Sequence, residues 1–427
     1  MNTFISPTWV TTDTAMFWKN NITLVRRFDR QWNNEWTKKP GGAKIGYTVQ
    51  IRLPQRWVVT EGQALVQQAI LNQTVPVTLN HQFQVGMGWS SADSALLVEE
   101  VQDRYTSKAG KYLANKCDVQ GGLEVFRNVY FQVGPTTPSA TLLAGLNPNV
   151  TLDGFYTDAV AKLRNVGVPD ELCAVIDPQS QSNLLKVAFN QFNPQNQVSK
   201  YFTKGQFSGA ALGVDDWYWD PNIPTFTTGN FTTSTWLVDG AAQTGSTILL
   251  KGGGVYNFVA GDTFYIAGVD ALNPLSYVDT GNPEAFSITA AISGSGGALL
   301  SITPAIIPLT TGPAGVTSPL ATVTASPANN AIVTFVTATG SGVNATMAST
   351  TSRQSLIFHD EAFAFVMAEL PVPLAGANSS RKSDEDARLS MRWVEQYNIQ
   401  TDQEPSKVEC LVGYATILPY FALRAWS

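Results

Sequence analysis

From Ala285 to Ser352 the chain carries no charged side chain. Residues 231–348 hold only six: Asp239, Lys251, Asp262, Asp270, Asp279 and Glu284. This segment departs sharply in composition from what precedes it. It is rich in Gly, Ser, Thr, Ala and Val. Strand-like runs fall at 247–251, 263–267, 285–290, 298–303, 321–325 and 331–336, with turn residues between them. Short strands at this spacing predict a small β-barrel or sandwich. Charge returns on both sides, so residues 231–348 read as a β domain inserted into a larger one. A neutral β surface invites edge-to-edge pairing, and closing the sheet into a barrel removes the edges.

The flanking sequence is organised differently. Residues 1–43 form an arm in which Trp9, Trp18, Trp32 and Trp36 lie among six Lys/Arg and three Asp/Glu. Large aromatics on an arm must be buried, either on the chain's own body or on a neighbour. Residues 44–88 read as a long hairpin. KIGYTVQIRL (44–53) and residues 75–85 alternate apolar and polar, and are separated by about twenty residues that carry Arg56 and Trp57. A loop of that length is usually functional. Arg52 and His81 sit on the two strands, His81 on the apolar face as an interface or satisfied histidine. Residues 91–116 read as one long helix, capped at Ser90 or Ser91. Leu97, Val101, Tyr105, Lys108 and Tyr112 would form its buried stripe, and Gly121-Gly122 its stop. Residues 123–230 read as mixed α and β, with a helix capped at Asp153 and ending at Gly167, a buried strand at 172–176, and a helix opened by Pro178. Residues 388–399 and 407–418 read as closing strands joined by a turn around 401–405.

The stretch DDWYWDPNIPTF (215–226) could carry chemistry. Asp215, Asp216 and Asp220 supply the paired acids a glycosidase needs, and Trp217 and Trp219 could be sugar platforms. The competing reading is a structural junction: Asp as turn initiators, Pro221 and Pro224 as breakers, aromatics as anchors. Its position just before the loss of charge favours the junction. Elsewhere no Ser/His/Asp set and no Walker A sequence is seen. The chain has two histidines, His81 and His359, and three widely spaced cysteines, Cys117, Cys173 and Cys410, which read as buried reduced thiols. No catalytic residue, cofactor site or metal site is expected. The six N-x-[ST] sequons read as chance in an Asn- and Ser/Thr-rich chain. The net charge of −6 argues against a general nucleic-acid binder. No signal peptide and no apolar run long enough for a membrane span are expected.

Arm, hairpin, long helix, α/β domain, charge-poor β insertion and closing strands occur in a specific order. AKIGYTVQIRLPQRW (43–57), VPVTLNHQFQVGMGWSSAD (75–93), FVAGDTFYIAGVDALNP (258–274), SITPAIIP (301–308) and VEQYNIQTDQEPSKVECLVGYATILP (394–419) carry the pattern. Together they resemble the coat proteins of short-tailed phages of the Salmonella-phage type. The match departs at Tyr47, where the family pattern has Asp. The resemblance implies an α+β HK97-like capsid fold with an inserted β domain. It also implies an N-terminal arm (1–43), an extended loop (44–88), a spine helix (89–122) and an apical and peripheral domain in two parts (123–230 and 349–427) around the insertion (231–348).

On this resemblance the chain is a major capsid protein made in a bacterial host's cytoplasm. It would assemble as hexamers and pentamers of an icosahedral virion shell, with a scaffolding protein and a portal protein as partners and no membrane. The packaged double-stranded DNA would be contacted only weakly and without sequence preference. Trp9, Trp18, Trp32, Trp36, Arg52, Arg56, Trp57 and His81 are then candidate assembly contacts. Asp215, Asp216, Trp217, Trp219 and Asp220 would form the domain junction. The alternative class is a carbohydrate-active or carbohydrate-binding protein with a β accessory domain.

Overall fold

The computed structural model describes residues 7–33, 48–59, 61–63, 65, 67–90, 107–134, 152–182, 184, 212–309, 319–338, 343–373, 378–384 and 389–426. The chain divides into two compact units. The first comprises Met1–Arg52, Thr74–Glu124 and Phe363–Ile417, and the second Leu53–Gln73, Val125–Ala362 and Leu418–Ser427.

The first unit is built on a five-stranded antiparallel sheet. Gln403–Thr416 lies between Phe363–Ala368 and Leu389–Glu395, and Asn378–Asp384 extends the sheet beyond Leu389–Glu395. His81–Ser90 pairs with Gln403–Thr416 over ten residues, from Gln403 opposite Ser90 to Val412 opposite His81. The expected closing strands are therefore present, but the second begins at Gln403 and the turn occupies 396–402. The long partnership with His81–Ser90 draws those extra residues into the ladder. Helix α1 (Pro7–Asn21) packs on Asn378–Asp384 and Leu389–Glu395. Thr11 and Ser380 share a hydroxyl hydrogen bond of 3.0 Å there. A separate antiparallel pair, Thr48–Arg52 with Thr74–Thr78, forms the base of the expected hairpin.

Helix α2 (Ser107–Val125) departs from its sequence reading. It runs through Gly121-Gly122 instead of stopping there. Lys108 and Tyr112 are exposed, whereas Ala109, Gly110, Leu113, Ala114, Cys117, Asp118, Gly121, Gly122 and Val125 are buried. The expected start at residue 91 and the stripe at Leu97, Val101 and Tyr105 lie outside the described residues. The glycines act as close-approach positions. A Cβ on Gly110 would stand 2.7 Å from Thr14 O and 3.2 Å from Trp18 N, so the backbone of α1 crosses α2 there. A Cβ on Gly121 would meet the Val25 side chain at 2.5 Å and the Tyr414 ring at 3.0 Å. Between these contacts, Asp118 accepts hydrogen bonds from Thr23 N at 2.8 Å and Val25 N at 2.9 Å. Gly110→Ala would gain about 1 kcal/mol of helix propensity. It would lose more by forcing two backbones apart, for a net destabilisation of about 1–3 kcal/mol. A lowered denaturation midpoint checks this; an unchanged or higher one would show that α1 does not rest on Gly110.

The second unit contains a mixed sheet in the order Gln132–Val133, Ala422–Trp426, Thr351–Phe358, Cys173–Ile176 and Asp216–Trp219, with Thr225–Thr227 also paired to Thr351–Phe358. The outer pairs, Ala422–Trp426 with Gln132–Val133 and Cys173–Ile176 with Asp216–Trp219, are parallel. Every residue of Cys173–Ile176 and Ala422–Trp426 is buried, as expected where both faces are covered. Helix α3 (Leu152–Asn165) packs on Ala422–Trp426 and Gln132–Val133. Asp153 lies within α3 rather than capping it, while Gly167 follows its end at φ +82°, a conformation that favours glycine.

The charge-poor segment forms two antiparallel sheets. One has the order Val333–Phe335, Thr263–Leu272, Asp279–Ile288, Ala298–Ile306, Gly245–Lys251 and Leu237–Val238; the other Ile292–Ser295, Val255–Phe258, Asn230–Ser234 and Ala345–Met347. Residues 321–325, expected as a strand, make only isolated bridges at Val323, to Ala271 and Pro308. Aromatics supply the core volume that the small residues cannot. Phe231, Trp236, Tyr256, Phe258, Phe264, Phe286 and Phe335 are all buried in one cluster. Within it, Phe258 stacks on Phe335 at 4.8 Å and Trp236 meets Phe258 edge-on at 5.3 Å.

Two of the six charges of this segment are buried. Asp262 accepts from Val259 N at 2.8 Å and Gly229 N at 3.1 Å. Burial pushes its carboxyl up to about 6, although these hydrogen bonds and the nearby Arg424 pull it down. Glu284 is also held well above the usual carboxylate range by burial.

Candidate assembly interface

The DDWYWDPNIPTF stretch is strand rather than turn at its centre. Asp216–Trp219 pairs in parallel with Cys173–Ile176, with Trp217 opposite Ala174 and Trp219 opposite Ile176. Asp215 and Asp220 bracket it. Asp215 accepts from Leu172 N at 3.1 Å, while its own N–H donates to Leu172 O at 3.0 Å. Asp220 accepts from the backbone N of Asn222 at 2.8 Å and its Nδ2 at 2.9 Å. Burial raises the Asp220 carboxyl, and these two donors partly oppose the rise.

Trp217 is buried, with Tyr156 edge-on at 5.2 Å and an interplanar angle of 80°. An indole enclosed in this way offers no face to a sugar. Trp219 is the open ring, 45% exposed. Two acids engaged by backbone amides at the ends of a strand, with one indole packed inward, describe a structural element. Among the described residues, no group of three or more His, Cys, Asp or Glu is placed to hold a metal ion.

The sequence-derived contact residues separate into two sets. Trp18 is fully buried in the first unit, which corrects its reading as an outward contact. Its indole belongs to the chain's own core because α1 packs on the sheet. His81 is also engaged at home. Its Nε2 lies 3.2 Å from Glu124 Oε1, and its ring stacks on Phe83 at 5.8 Å. Trp32 is half-buried, the side chain of Trp9 and all of Trp36 lie outside the described residues, and Arg52 is exposed. His359 has a local role, with its Nδ1 accepting from Glu361 N at 3.3 Å.

The second set lies on residues 53–73. This segment has no helix or strand among its described residues, yet it is braced by side chains that imitate a ladder. Gln68 receives Val58 N at 3.0 Å and donates its Nε2 to Val58 O, while Gln55 Oε1 accepts from Leu71 N at 3.0 Å. Leu53 N donates to Gln73 O at 2.9 Å where the segment opens. Arg56 lies over the Tyr420 ring at 5.1 Å. The apolar side chains face outward: Trp57 is 53% exposed, Val59 96%, Leu65 93% and Ile70 72%. Sequence reading found Arg56 and Trp57 but missed Val59, Leu65 and Ile70. Their signal was weak, since isolated apolar residues in a polar loop show no periodicity.

A family model described as "P22 coat protein - gene protein 5" matches residues 66–422. The chain belongs to the P22 coat protein family. It is a structural major capsid protein. No curated protein matches this coat protein. Among solved structures it is similar to a protein of Mycobacterium phage Che8, at 10% identity and TM-score 0.44 over 95% of this chain and 90% of that one. It is also similar to the capsid of Ralstonia phage GP4, at 8% identity and TM-score 0.44 over 96% and 90%. The CUS-3 coat protein I-domain matches at 25% identity and TM-score 0.20, over 25% of this chain and 98% of that one.

Proposed function

We propose that this coat protein assembles with a scaffolding protein into an icosahedral shell of hexamers and pentamers that encloses phage double-stranded DNA. The observation that carries the assembly reading is the 53–73 segment. Its backbone is held in register by Gln55 and Gln68, while Trp57, Val59, Leu65 and Ile70 stay in water. A surface that is ordered, apolar and uncovered needs a neighbour. Arg52, Arg56 and Trp57 belong to the same contact, with Trp9, Trp32 and Trp36 contributing from the arm. A portal protein occupies one vertex, the chain is made in the host cytoplasm, and the negative net charge keeps DNA contacts weak and nonspecific.

The proposed division of labour is an arm (1–43), an extended loop (44–88), a spine helix ending near Val125, an apical and peripheral domain (to 230 and from 349) and an inserted β domain (231–348). Asp215–Asp220 acts as the structural lead-in to that insertion. The role needs no catalytic step.

Electron microscopy of the purified protein, alone and with its scaffolding protein, tests the shell reading. Closed uniform particles support it; a small oligomer under both conditions overturns it. A triple variant, Val59→Asp, Leu65→Asp and Ile70→Asp, tests the loop. Surface changes of this kind usually cost a fold less than ~0.5 kcal/mol. The expected result is an unchanged circular dichroism spectrum and assembly slowed at least ~10-fold by light scattering, the equivalent of losing about 1.4 kcal/mol of contact. Normal assembly of the variant would place the contact elsewhere.

A further inference from the structure

Arg56 is counted with the assembly contact, yet its own chain already occupies it. Its guanidinium lies over the Tyr420 ring at 5.1 Å. Both residues are half-buried, and both belong to the second unit, which includes Leu53–Gln73 and Leu418–Ser427. Tyr420 is a firm post. It sits in a single 3-10 turn, Pro419–Phe421, and meets the Phe421 ring edge-on at 4.8 Å. Phe421 is buried, meets the His359 ring edge-on at 5.7 Å, and accepts at its carbonyl from His359 N at 3.0 Å. The other side of the contact is fixed as well. Arg56 O accepts from Gln55 Nε2 at 3.1 Å, and Gln55 Oε1 holds Leu71 N. Tyr130 and Tyr277 lie within electrostatic reach of the same cation: burial raises both phenols, and the Arg56 charge opposes the rise in each.

The segment therefore has two unequal sides. Trp57, Val59, Leu65 and Ile70 are exposed, whereas Leu53, Gln55, Arg56 and Val58 are half-buried. Arg56 can reach a neighbour only by leaving Tyr420.

We propose that the Arg56–Tyr420 contact is a latch, which parks the 53–73 segment on its own chain and holds back assembly until the segment is released. The proposal rests on the reading of this segment as a contact between copies. A latch of this kind works through populations. While the latched form dominates, any process that needs the released form runs in proportion to how often release occurs. A cation–π contact at a partly exposed site changes that population about two- to fivefold. Premature pairing of subunits is slowed but not blocked, because a neighbour that binds the released form draws the equilibrium towards it.

The test uses the full chain and two readouts. Chymotrypsin cleavage after Trp57, followed by mass spectrometry, reports release; light scattering reports the start of assembly. Tyr420→Ala should raise both rates by the same factor, about two- to fivefold. Tyr420→Phe keeps the ring face and should match the wild type in both. Arg56→Met should raise cleavage as Tyr420→Ala does, and combining the two should raise it no further. Assembly is read only on the Tyr420 variants, because Arg56 also belongs to the contact between copies. Should Tyr420→Ala lose the native circular dichroism spectrum, Tyr420→Leu keeps apolar volume without a ring and takes its place. Unchanged cleavage, additive effects of the two substitutions, a Tyr420→Phe variant as open as Tyr420→Ala, or assembly that is unchanged or slower would each overturn the latch. The Val59→Asp, Leu65→Asp, Ile70→Asp variant, run alongside, separates two failures. Slowed assembly there, with wild-type kinetics in Tyr420→Ala, overturns the latch alone; normal assembly there overturns the contact between copies on which the latch acts.

Discussion

Arg424→Ala should be among the most damaging single substitutions in this protein, costing about 3–5 kcal/mol. Arg424 is fully buried in the strand Ala422–Trp426. Its Nη2 donates to Gly261 O at 2.9 Å, and its guanidinium lies 5.9 Å from the ring centres of both Phe126 and Phe226. Burial lowers its pKa to about 10, so it remains charged at neutral pH, with Asp262 as the nearby countercharge. Truncation leaves a cavity beside the Phe126–Phe226 pair, whose rings meet edge-on at 5.6 Å, and strips Asp262 of that charge. The expected readout is loss of soluble protein at 37 °C and a large fall in the denaturation midpoint. Arg424→Met, which keeps most of the volume, should recover part of the loss. If it recovers all of it, the charge contributes nothing and packing alone explains the site.

Asp262 gives the same site a pH dependence with an unfamiliar sign. Its carboxyl moves from 3.8 up to about 6. The folded state therefore holds the proton more tightly than the unfolded state. Ionisation costs native stability in full above pH 6, and the cost disappears below pH 3.8. Acidification from pH 7 to about pH 4 should stabilise the second unit by on the order of 3 kcal/mol. Amide exchange at Gly229 and Val259, measured against pH, would show rising protection; falling protection across that window would remove the claim.

Glu409→Ala is the second large expectation, again about 3–5 kcal/mol. The Glu409 side chain is fully buried and joins three strands of the first unit. Oε1 accepts from Arg392 Nε at 2.8 Å and also from Arg392 Nη2; Oε2 accepts from Gln82 Nε2 at 2.7 Å and Lys407 Nζ at 2.9 Å. Burial alone would raise its pKa, but the donors on Lys407, Arg392 and Gln82 outweigh it and the net shift is downward. A depressed carboxylate stabilises the fold fully above its unfolded value of 4.5, and that contribution is lost as pH falls through the folded value. Strong acid should therefore loosen the first unit in the range below 4.5, whereas milder acid tightens the second. Glu409→Gln keeps the shape and should abolish the low-pH step while costing less at pH 7. Exchange at Val394 and Val408 amides would report the difference. A Glu409→Gln variant with the wild-type acid profile would assign that step to another group.

These two sites were invisible in the sequence for one reason. A buried charge draws its partners from distant segments: Arg424 reaches Gly261, and Glu409 meets Gln82. No local spacing records those meetings. The same holds for α2. Gly121-Gly122 carries the local signature of a helix stop, but Val25 and Tyr414 approach so closely that glycine is required within the helix. Trp18 raised the right question, whether the arm buries its aromatics at home or abroad, and packing of α1 on the sheet answered it.

Composition and period were enough for the coarse architecture. Absence of charge in 285–352 left β structure, and alternation marked strands at 44–53 and 75–85, of which Thr48–Arg52 pairs with Thr74–Thr78 while His81–Ser90 joins Gln403–Thr416 instead. The order of the sequence motifs indicated the coat family. Which polar residues are buried and which glycines are contact points emerged from tertiary packing alone. Periodicity reports which face of an element is apolar, but the partner of that face is set by contacts between segments hundreds of residues apart.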